Sequence, residues 1–273
     1  MKLKIKLNLF PYLLWMAFFV IVPLVLVIIF AFSTPDGGFT FDNITYATKY
    51  SDVFSRSIVL GAISTLVCLI LGYPMAYCIS KIKVKFQSVF IMLLMIPMWT
   101  SFLLRTYAWM TILEYNGILN KFISFLGFEK INMINTPGAI VLGMVYNFLP
   151  YMILPIYTVL EKMDKKVIEA AQDLGANRFK VFSKVIFPLS LSGVISGVTM
   201  VFVPSVSTFV ISKMLGGGAI LVIGDLIEMQ FLGNAYNPYL GSAISLILMI
   251  IIMICMGIMN RLENDSSDQP MMM

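Results

Sequence analysis

The sequence predicts an all-α integral membrane protein with six transmembrane helices and both termini in the cytoplasm. Its mean hydropathy is +0.92, and only 12% of its residues are charged, about half the charge expected of a soluble domain. Six apolar runs have roughly the 20 residues that a helix needs to cross a bilayer core. Lysine and arginine are concentrated in alternate connections between these runs, which sets the orientation.

The six predicted spans cover residues 10–32, 57–80, 88–111, 137–160, 189–213 and 240–260. The first run starts like a signal peptide, but it is too long and lacks a good cleavage site, so we expect an uncleaved helix. The segment 219–232 is apolar, carries Asp225 and Glu228, and is too short to span. We predict a short re-entrant outer helix there, because Gly216–Gly218 permit a sharp turn before it. If this segment crossed the bilayer instead, the C-terminus would lie outside.

Positive charge marks one side of the membrane. Thirteen of the 19 basic residues fall in segments that the topology places in the cytoplasm. They are Lys2, Lys4, Lys6, Lys81, Lys83, Lys85, Lys162, Lys165, Lys166, Arg178, Lys180, Lys184 and Arg261. The basic character therefore follows from topology, and no nucleic-acid partner is expected.

Several functional classes lack the residues that they require. Histidine is absent, and the three cysteines do not have metal-site spacing, so we predict neither a metal site nor a catalytic residue. An ion-coupled carrier or a channel is an alternative, but such proteins place paired acids within their spans, and the six main spans have no central Asp or Glu. An intramembrane enzyme is disfavoured for the same lack of reactive groups.

The one long cytoplasmic connection, residues 161–188, is here called the coupling loop. Asp164 and Asn177 are suitable N-caps for two short helices, and Gly175 is a suitable stop between them. Helical spacing gives each helix one apolar stripe: Val167, Ala170, Ala171 and Leu174 in the first, and Phe179, Phe182, Val185 and Ile186 in the second. Periodicity alone does not distinguish a surface loop from a docking site for a cytoplasmic partner.

The residue pattern of this loop favours a docking site over a simple surface loop. Glu169-Ala170-Ala171, Gly175 four positions later, and Val185-Ile186-Phe187-Pro188 after nine more residues resemble the E-A-A-x-x-x-G-(x)9-I-x-L-P signature of ABC importer permeases. Val185 and Phe187 depart conservatively from that pattern. The resemblance implies a MetI-like transmembrane domain whose loop inserts into a cytoplasmic ATPase. It further implies that Glu169 bonds the ATPase, that Gly175 permits the turn, and that Ala170 and Ala171 allow close approach, with Pro188 closing the signature.

The chain itself lacks an ATP site of the P-loop type. No glycine is followed by lysine, so the phosphate-binding loop is absent, and no cofactor is expected in this chain. The resemblance implies instead that ATP and Mg²⁺ bind a partner ATPase. It also implies two ATPase subunits, a second permease subunit (PotC-like, or a second copy) and an extracytoplasmic substrate-binding protein. The expected location is the bacterial inner membrane.

Further stretches, at 71–77, 96–107, 203–217 and 223–232, resemble the PotB-type permeases of spermidine/putrescine transporters. Permeases for phosphonate, iron or thiamine share some of these stretches and stay alternatives. Aromatic rings and carboxylates suit a polyamine, so the candidate pathway residues are Trp99, Tyr107, Tyr146, Tyr151, Asp225 and Glu228. Interfacial anchoring or core packing is the favoured explanation of the aromatic residues, and ordinary solvent exposure is the favoured explanation of the acids.

The chain divides by prediction into three parts. Residues 1–54 form the first helix and an outer loop, and residues 55–262 form the permease core that contains the coupling loop. Residues 263–273 are polar and end in three methionines, which predicts a disordered cytoplasmic tail. Gly193 and Gly197 form a G-x-x-x-G pattern that predicts close helix packing.

Overall fold

The computed structural model describes residues 11–233 and 235–267, and the predicted all-α fold is confirmed. Within these ranges the only extended pairing is an isolated bridge between Ser33 and Phe39. The helices are α1 (Pro11–Ala31), α2 (Asp42–Ala47), α3 (Ser51–Lys81), α4 (Val84–Trp99), α5 (Phe102–Leu113), α6 (Ile118–Phe125), α7 (Pro137–Lys162), α8 (Lys165–Asp173), α9 (Arg178–Leu189), α10 (Leu191–Ser207), α11 (Val210–Leu215), α12 (Ile223–Leu232) and α13 (Pro238–Ser267).

Four of these stretches are long and apolar enough to cross a membrane unbroken: α1, the continuous run α2–α3, α7 and α13 as far as Arg261. Two further spans are bent. The chain turns by 88° after α4 and by 60° between α9 and α10, and the described chain has six spans if each bent pair is one. The predicted spans at 88–111 and 189–213 therefore each contain a break in the helix, after Trp99 and after Ser207. The orientation of the helices stays a prediction.

Local backbone geometry shows where the helices of the third and fifth spans end. Thr100 leaves the helical conformation at ψ 156°, and its hydroxyl donates to the carbonyl of Pro97 at 2.6 Å, which ends α4. Thr208 likewise turns extended at ψ 142° and ends α10. After each of these residues the chain resumes as a separate short helix, α5 or α11.

The chain forms two compact units. One comprises Ser55–Asp225 together with the chain from Met253 onward, and its core surrounds α7, which buries Ile140, Met144, Met152 and Ile156. Here α10 packs closely on α7 through Gly193 and Gly197, as the G-x-x-x-G pattern predicts. A Cβ on Gly193 would lie 2.9 Å from the Pro155 carbonyl oxygen, and one on Gly197 would lie 3.1 Å from the Met152 carbonyl oxygen, so a side chain would force the helices apart.

The other unit contains the chain up to Phe54 and Leu226–Ile252. No residue in the most apolar window of α1 is buried. Asn43 fixes the segment after α1, because its side-chain amide donates to the carbonyls of Ala31 and Ser33 at 3.2 and 2.9 Å. The last helix, α13, continues to Ser267, so the first five residues of the predicted disordered tail are helical. Residues 268–273 lie outside the described residues.

Candidate functional site

The coupling loop consists of two short helices joined by one tight turn, as the sequence predicts. Asp164 starts α8 by accepting a hydrogen bond from the Lys166 backbone N–H at 2.9 Å. Asn177 starts α9 in the same way, accepting from the Lys180 N–H at 2.8 Å. Side-chain oxygens therefore hold both helix N-termini, and the ends of α8 and α9 are set by local chemistry.

Gly175 makes the turn between the helices. Its φ is +82°, in the left-handed region that glycine adopts without steric cost. The Gly175 N–H donates to the Gln172 carbonyl at 2.9 Å, and the Ala176 N–H donates to the Ala171 carbonyl at 3.1 Å. This pair of bonds is the Schellman arrangement, which satisfies the last carbonyls of a helix. A Cβ on Gly175 would meet no atom within 4 Å, so the backbone conformation alone requires glycine there.

The exposed side of the loop is here called the docking surface; it comprises Glu169, Ala170, Leu174 and Phe179, all solvent-exposed. Leu174 is 89% exposed and Phe179 is 77% exposed. Large apolar side chains with that exposure, beside a carboxylate, are typical of a protein-binding site. Each predicted stripe is divided between the two sides of the loop, because Ala170, Leu174 and Phe179 are exposed whereas the other stripe residues are partly or fully buried.

The opposite side of the loop packs on the chain itself. Val181 and Ile186 are buried at 3% exposure, and Ile168 and Ala171 pack half-buried against the same core. Ala171 therefore lies against its own chain, and Ala170 is exposed on the docking surface. Helical periodicity did not predict that Val181 and Ile168 pack against the core. The neighbouring helices, not the sequence of α8 and α9 alone, determine which of their faces is buried.

An aromatic cluster links the coupling loop to α3. Phe182 contacts the rings of Tyr73 and Tyr77, each at 5.7 Å between centroids and nearly perpendicular. The ring centroid of Phe187 lies 5.6 Å from that of Tyr73, and Phe187 completes this aromatic cluster of four residues. The sequence analysis missed the cluster. Its one visible signal is the i, i+4 spacing of Tyr73 and Tyr77 on one face of α3.

Ser190 adds a buried polar contact beside the aromatic cluster. Its hydroxyl donates to the Phe187 carbonyl at 2.9 Å, and its oxygen lies 2.8 Å from the Tyr73 hydroxyl. Since a serine hydroxyl has one proton, Tyr73 must be the donor of the second bond. Both groups are buried, with Ser190 at 0% and Tyr73 at 7% exposure, so this bond ties α3 to the junction of α9 and α10.

The end of α9 is irregular where the signature proline lies. Residues Phe182–Ile186 form a π-helical turn, and the chain bends at Ser190 before α10 begins. Pro188 has no backbone N–H to donate to the Lys184 carbonyl, and its ring crowds that carbonyl. The proline therefore lies where the regular helix gives way, between the loop and the fifth span.

The candidate pathway aromatics do not converge on one site. Trp99 lines a groove of about 350 Å³ between α4 and α7, together with Tyr157, whereas Tyr151 lines a separate groove of about 460 Å³ between α7 and α10. Tyr146 packs edge-on against Trp109 at 5.4 Å. Tyr107, on α5, is 54% exposed.

Asp225 is buried at 7% exposure, so the expectation of ordinary solvent exposure is wrong for this residue. One of its carboxylate oxygens accepts from the Ser212 hydroxyl at 2.9 Å, and the other accepts from the Val222 N–H at 3.1 Å. The carboxylate thereby caps the start of α12 and holds α11 beside it. Glu228, one turn further along α12, is half-exposed.

The sequence is similar to those of known membrane transport proteins. Residues 12–265 match the family model of the binding-protein-dependent transport system inner membrane component. The spermidine/putrescine transport system permease protein PotB of Haemophilus influenzae is 38% identical over 242 residues, which cover 85% of this chain and 84% of the relative. PotB of Escherichia coli is 37% identical over 255 residues, which cover 90% and 91%.

Solved structures share the fold at low identity. The structure of a bacterial ABC transporter involved in the import of the acidic polysaccharide alginate matches with a TM-score of 0.82 at 14% identity, and covers 96% of this chain and 95% of that one. The MetNI methionine ABC transporter matches with a TM-score of 0.60, covering 79% and 95%. With the family model matched over nearly the whole chain, this protein belongs to the binding-protein-dependent transport system inner membrane components, which are multi-pass bacterial membrane proteins.

Proposed function

We propose that this chain is a permease subunit of an ATP-driven importer for spermidine and putrescine. The observation that carries the substrate is the identity of 38% to a PotB permease, spread over 85% of the chain. The alternative substrates, phosphonate, iron and thiamine, have no comparable support. The chain is a transport component, and ATP binds with Mg²⁺ to a separate ATPase.

The docking surface is the proposed contact with that ATPase. Leu174 and Phe179 supply exposed apolar area, and Glu169 supplies a carboxylate between them and the start of α8. Two ATPase subunits bind two such loops, one on each of two permease subunits, so a second permease subunit completes the assembly. An extracytoplasmic binding protein delivers the substrate; a solved alginate importer of this fold is described in complex with its periplasmic protein.

The aromatic cluster is the proposed route by which loop movement reaches the membrane helices. Phe182 and Phe187 contact Tyr73 on α3, and Ser190 joins the same helix to the start of α10. Closely packed rings transmit displacement, because interiors have little free volume. When two ATPase subunits close on ATP, their movement shifts both loops and reorients the helices from inward-facing to outward-facing.

The test is uptake of labelled spermidine by cells that express the complete transporter, compared with cells carrying Glu169→Lys. We expect the variant to abolish uptake while it still reaches the membrane, since it reverses the charge on the docking surface. Glu129→Lys is the matched control, because Glu129 is an exposed acid in the α6–α7 connection, away from the coupling loop.

Other outcomes separate the parts of the proposal. If the assembled transporter hydrolyses ATP but takes up no polyamine, the substrate assignment is wrong and the importer assignment stands. If Glu169→Lys leaves uptake unchanged, the docking surface does not include Glu169. Competition of labelled spermidine by phosphonate, iron or thiamine would identify the alternative substrate.

A further inference from the structure

The tight turn between α3 and α4 carries an unusual concentration of positive charge. Lys81, Lys83 and Lys85 lie within five residues and are all solvent-exposed. The sequence has no Asp or Glu from residue 53 to residue 113, so the one acid on the two flanking helices is Asp52, at the opposite end of α3. Lys81 is placed over the Tyr77 ring, with its nitrogen 5.3 Å from the ring centroid.

Exposed apolar side chains alternate with the lysines. Val84 is 74% exposed and Phe86 is 50% exposed, one on each side of Lys85. Lysines interleaved with exposed apolar residues are the composition of segments that lie in the headgroup layer of a membrane. The apolar side chains then reach the acyl boundary while the ammonium groups stay among the headgroups.

Buried hydrogen bonds make this turn rigid. Gln87 is 5% exposed, and its side-chain amide donates to the carbonyls of Ser80 and Ile82 at 3.2 and 2.9 Å. The Gln87 side-chain oxygen accepts from the Tyr157 hydroxyl of α7 at 3.1 Å. The connection therefore has a fixed shape, and the three lysines are held on it without further ordering of the backbone.

The geometry points to the α3–α4 turn as a binding surface for anionic phospholipid headgroups of the cytoplasmic leaflet. The predicted topology places the turn on the cytoplasmic side, where anionic lipids attract basic segments next to a membrane helix. The occupant is lipid because the turn directly joins two apolar helices and pairs exposed apolar side chains with three exposed lysines. Each lysine near such a surface favours the anionic lipid about fivefold.

The test uses tryptophan fluorescence of the full chain in vesicles. Phe86→Trp is introduced after the three native tryptophans, Trp15, Trp99 and Trp109, are replaced by Phe. Two vesicle preparations contain the same mixture of phosphatidylglycerol and phosphatidylcholine. In the first only the phosphatidylglycerol is brominated, and in the second only the phosphatidylcholine is. We expect quenching per mole of brominated lipid to be at least about fivefold stronger for phosphatidylglycerol. Combined Lys81→Gln, Lys83→Gln and Lys85→Gln should bring the ratio to one.

Phe19→Trp, on the exposed surface of α1 in a stretch with no Lys or Arg from residue 11 to residue 48, is the matched control and should show no preference. Circular dichroism checks that each variant keeps its helix content. Equal quenching of the Phe86→Trp variant by the two brominated lipids would overturn the proposal, as would a preference that survives in the triple glutamine variant. Quenching that is equal and is removed by adding the ATPase subunits would assign the turn to a protein interface instead.

Discussion

Replacement of Gly175 by alanine measures how much the coupling loop depends on one backbone conformation. Gly175 has φ +82°, and a Cβ placed there meets no atom within 4 Å. The substitution therefore adds a conformational cost and no steric clash. A left-handed conformation costs a non-glycine residue roughly 1–2 kcal/mol. Asparagine tolerates this conformation better than alanine, so Gly175→Asn should recover part of the loss.

This cost acts on the two Schellman bonds that close the turn, from Gly175 to Gln172 and from Ala176 to Ala171. A penalty of roughly 1–2 kcal/mol lowers the ratio of closed to open turn by about 5- to 30-fold. When the turn opens, Leu174 and Phe179 no longer keep their spacing on the docking surface. The affinity for the ATPase should fall by up to the same factor, since it follows the fraction of chains whose closed turn presents the whole surface.

The assay is a titration of the permease assembly in nanodiscs with the ATPase subunit. We expect the apparent Kd to rise by up to about 5- to 30-fold for Gly175→Ala and by less for Gly175→Asn. Gly257→Ala is the matched control, because a Cβ on Gly257 also meets no atom within 4 Å and its φ is ordinary for a helix. If Gly175→Ala binds the ATPase as tightly as the parent, the turn does not shape the docking surface and the reasoning is refuted.

Substitutions at three further positions test other parts of the fold. Tyr73→Phe removes the hydrogen bond to Ser190 but keeps the ring contacts, so thermal unfolding should show a loss of about 1 kcal/mol with ATPase binding unchanged. Gly197→Leu places a side chain where a Cβ is already 2.9 Å from the Met152 sulfur, and should sharply reduce the yield of folded protein; a normal yield would contradict the packing. Asp225→Asn keeps an acceptor for the cap of α12, so the KM for spermidine should not change, whereas Asp225→Ala should impair folding. A higher KM in a well-folded Asp225→Asn variant would instead indicate substrate contact.

Local chemistry in the sequence was sufficient to predict the two helices of the coupling loop. The caps at Asp164 and Asn177 and the stop at Gly175 depend on hydrogen bonds that span two to five residues. Such contacts need no knowledge of the rest of the chain, so they are read directly from residue type and spacing. The apolar length of the spans is likewise a local property, and it predicted an all-helical membrane protein.

The helix breaks in the third and fifth spans could not be predicted from hydropathy. Hydropathy averages over a window, and the residues at Thr100 and Thr208 barely lower that average. Their extended backbone depends on carbonyl capping by Thr100 and on how the following helices pack. A window of apolar residues therefore predicts where the chain crosses, but not where the helix bends.

Contacts between residues far apart in the sequence decided which side chains are buried and which are exposed. The sequence alone determined that the chain is an all-helical membrane protein and that a capped helix pair forms the coupling loop, because these depend on composition and short-range bonds. The tertiary structure decided that Phe182 faces Tyr73 while Phe179 faces outward, and that Asp225 is buried against Ser212. The sequence of a helix does not by itself state which of its faces will be buried. The packing of neighbouring helices decides that.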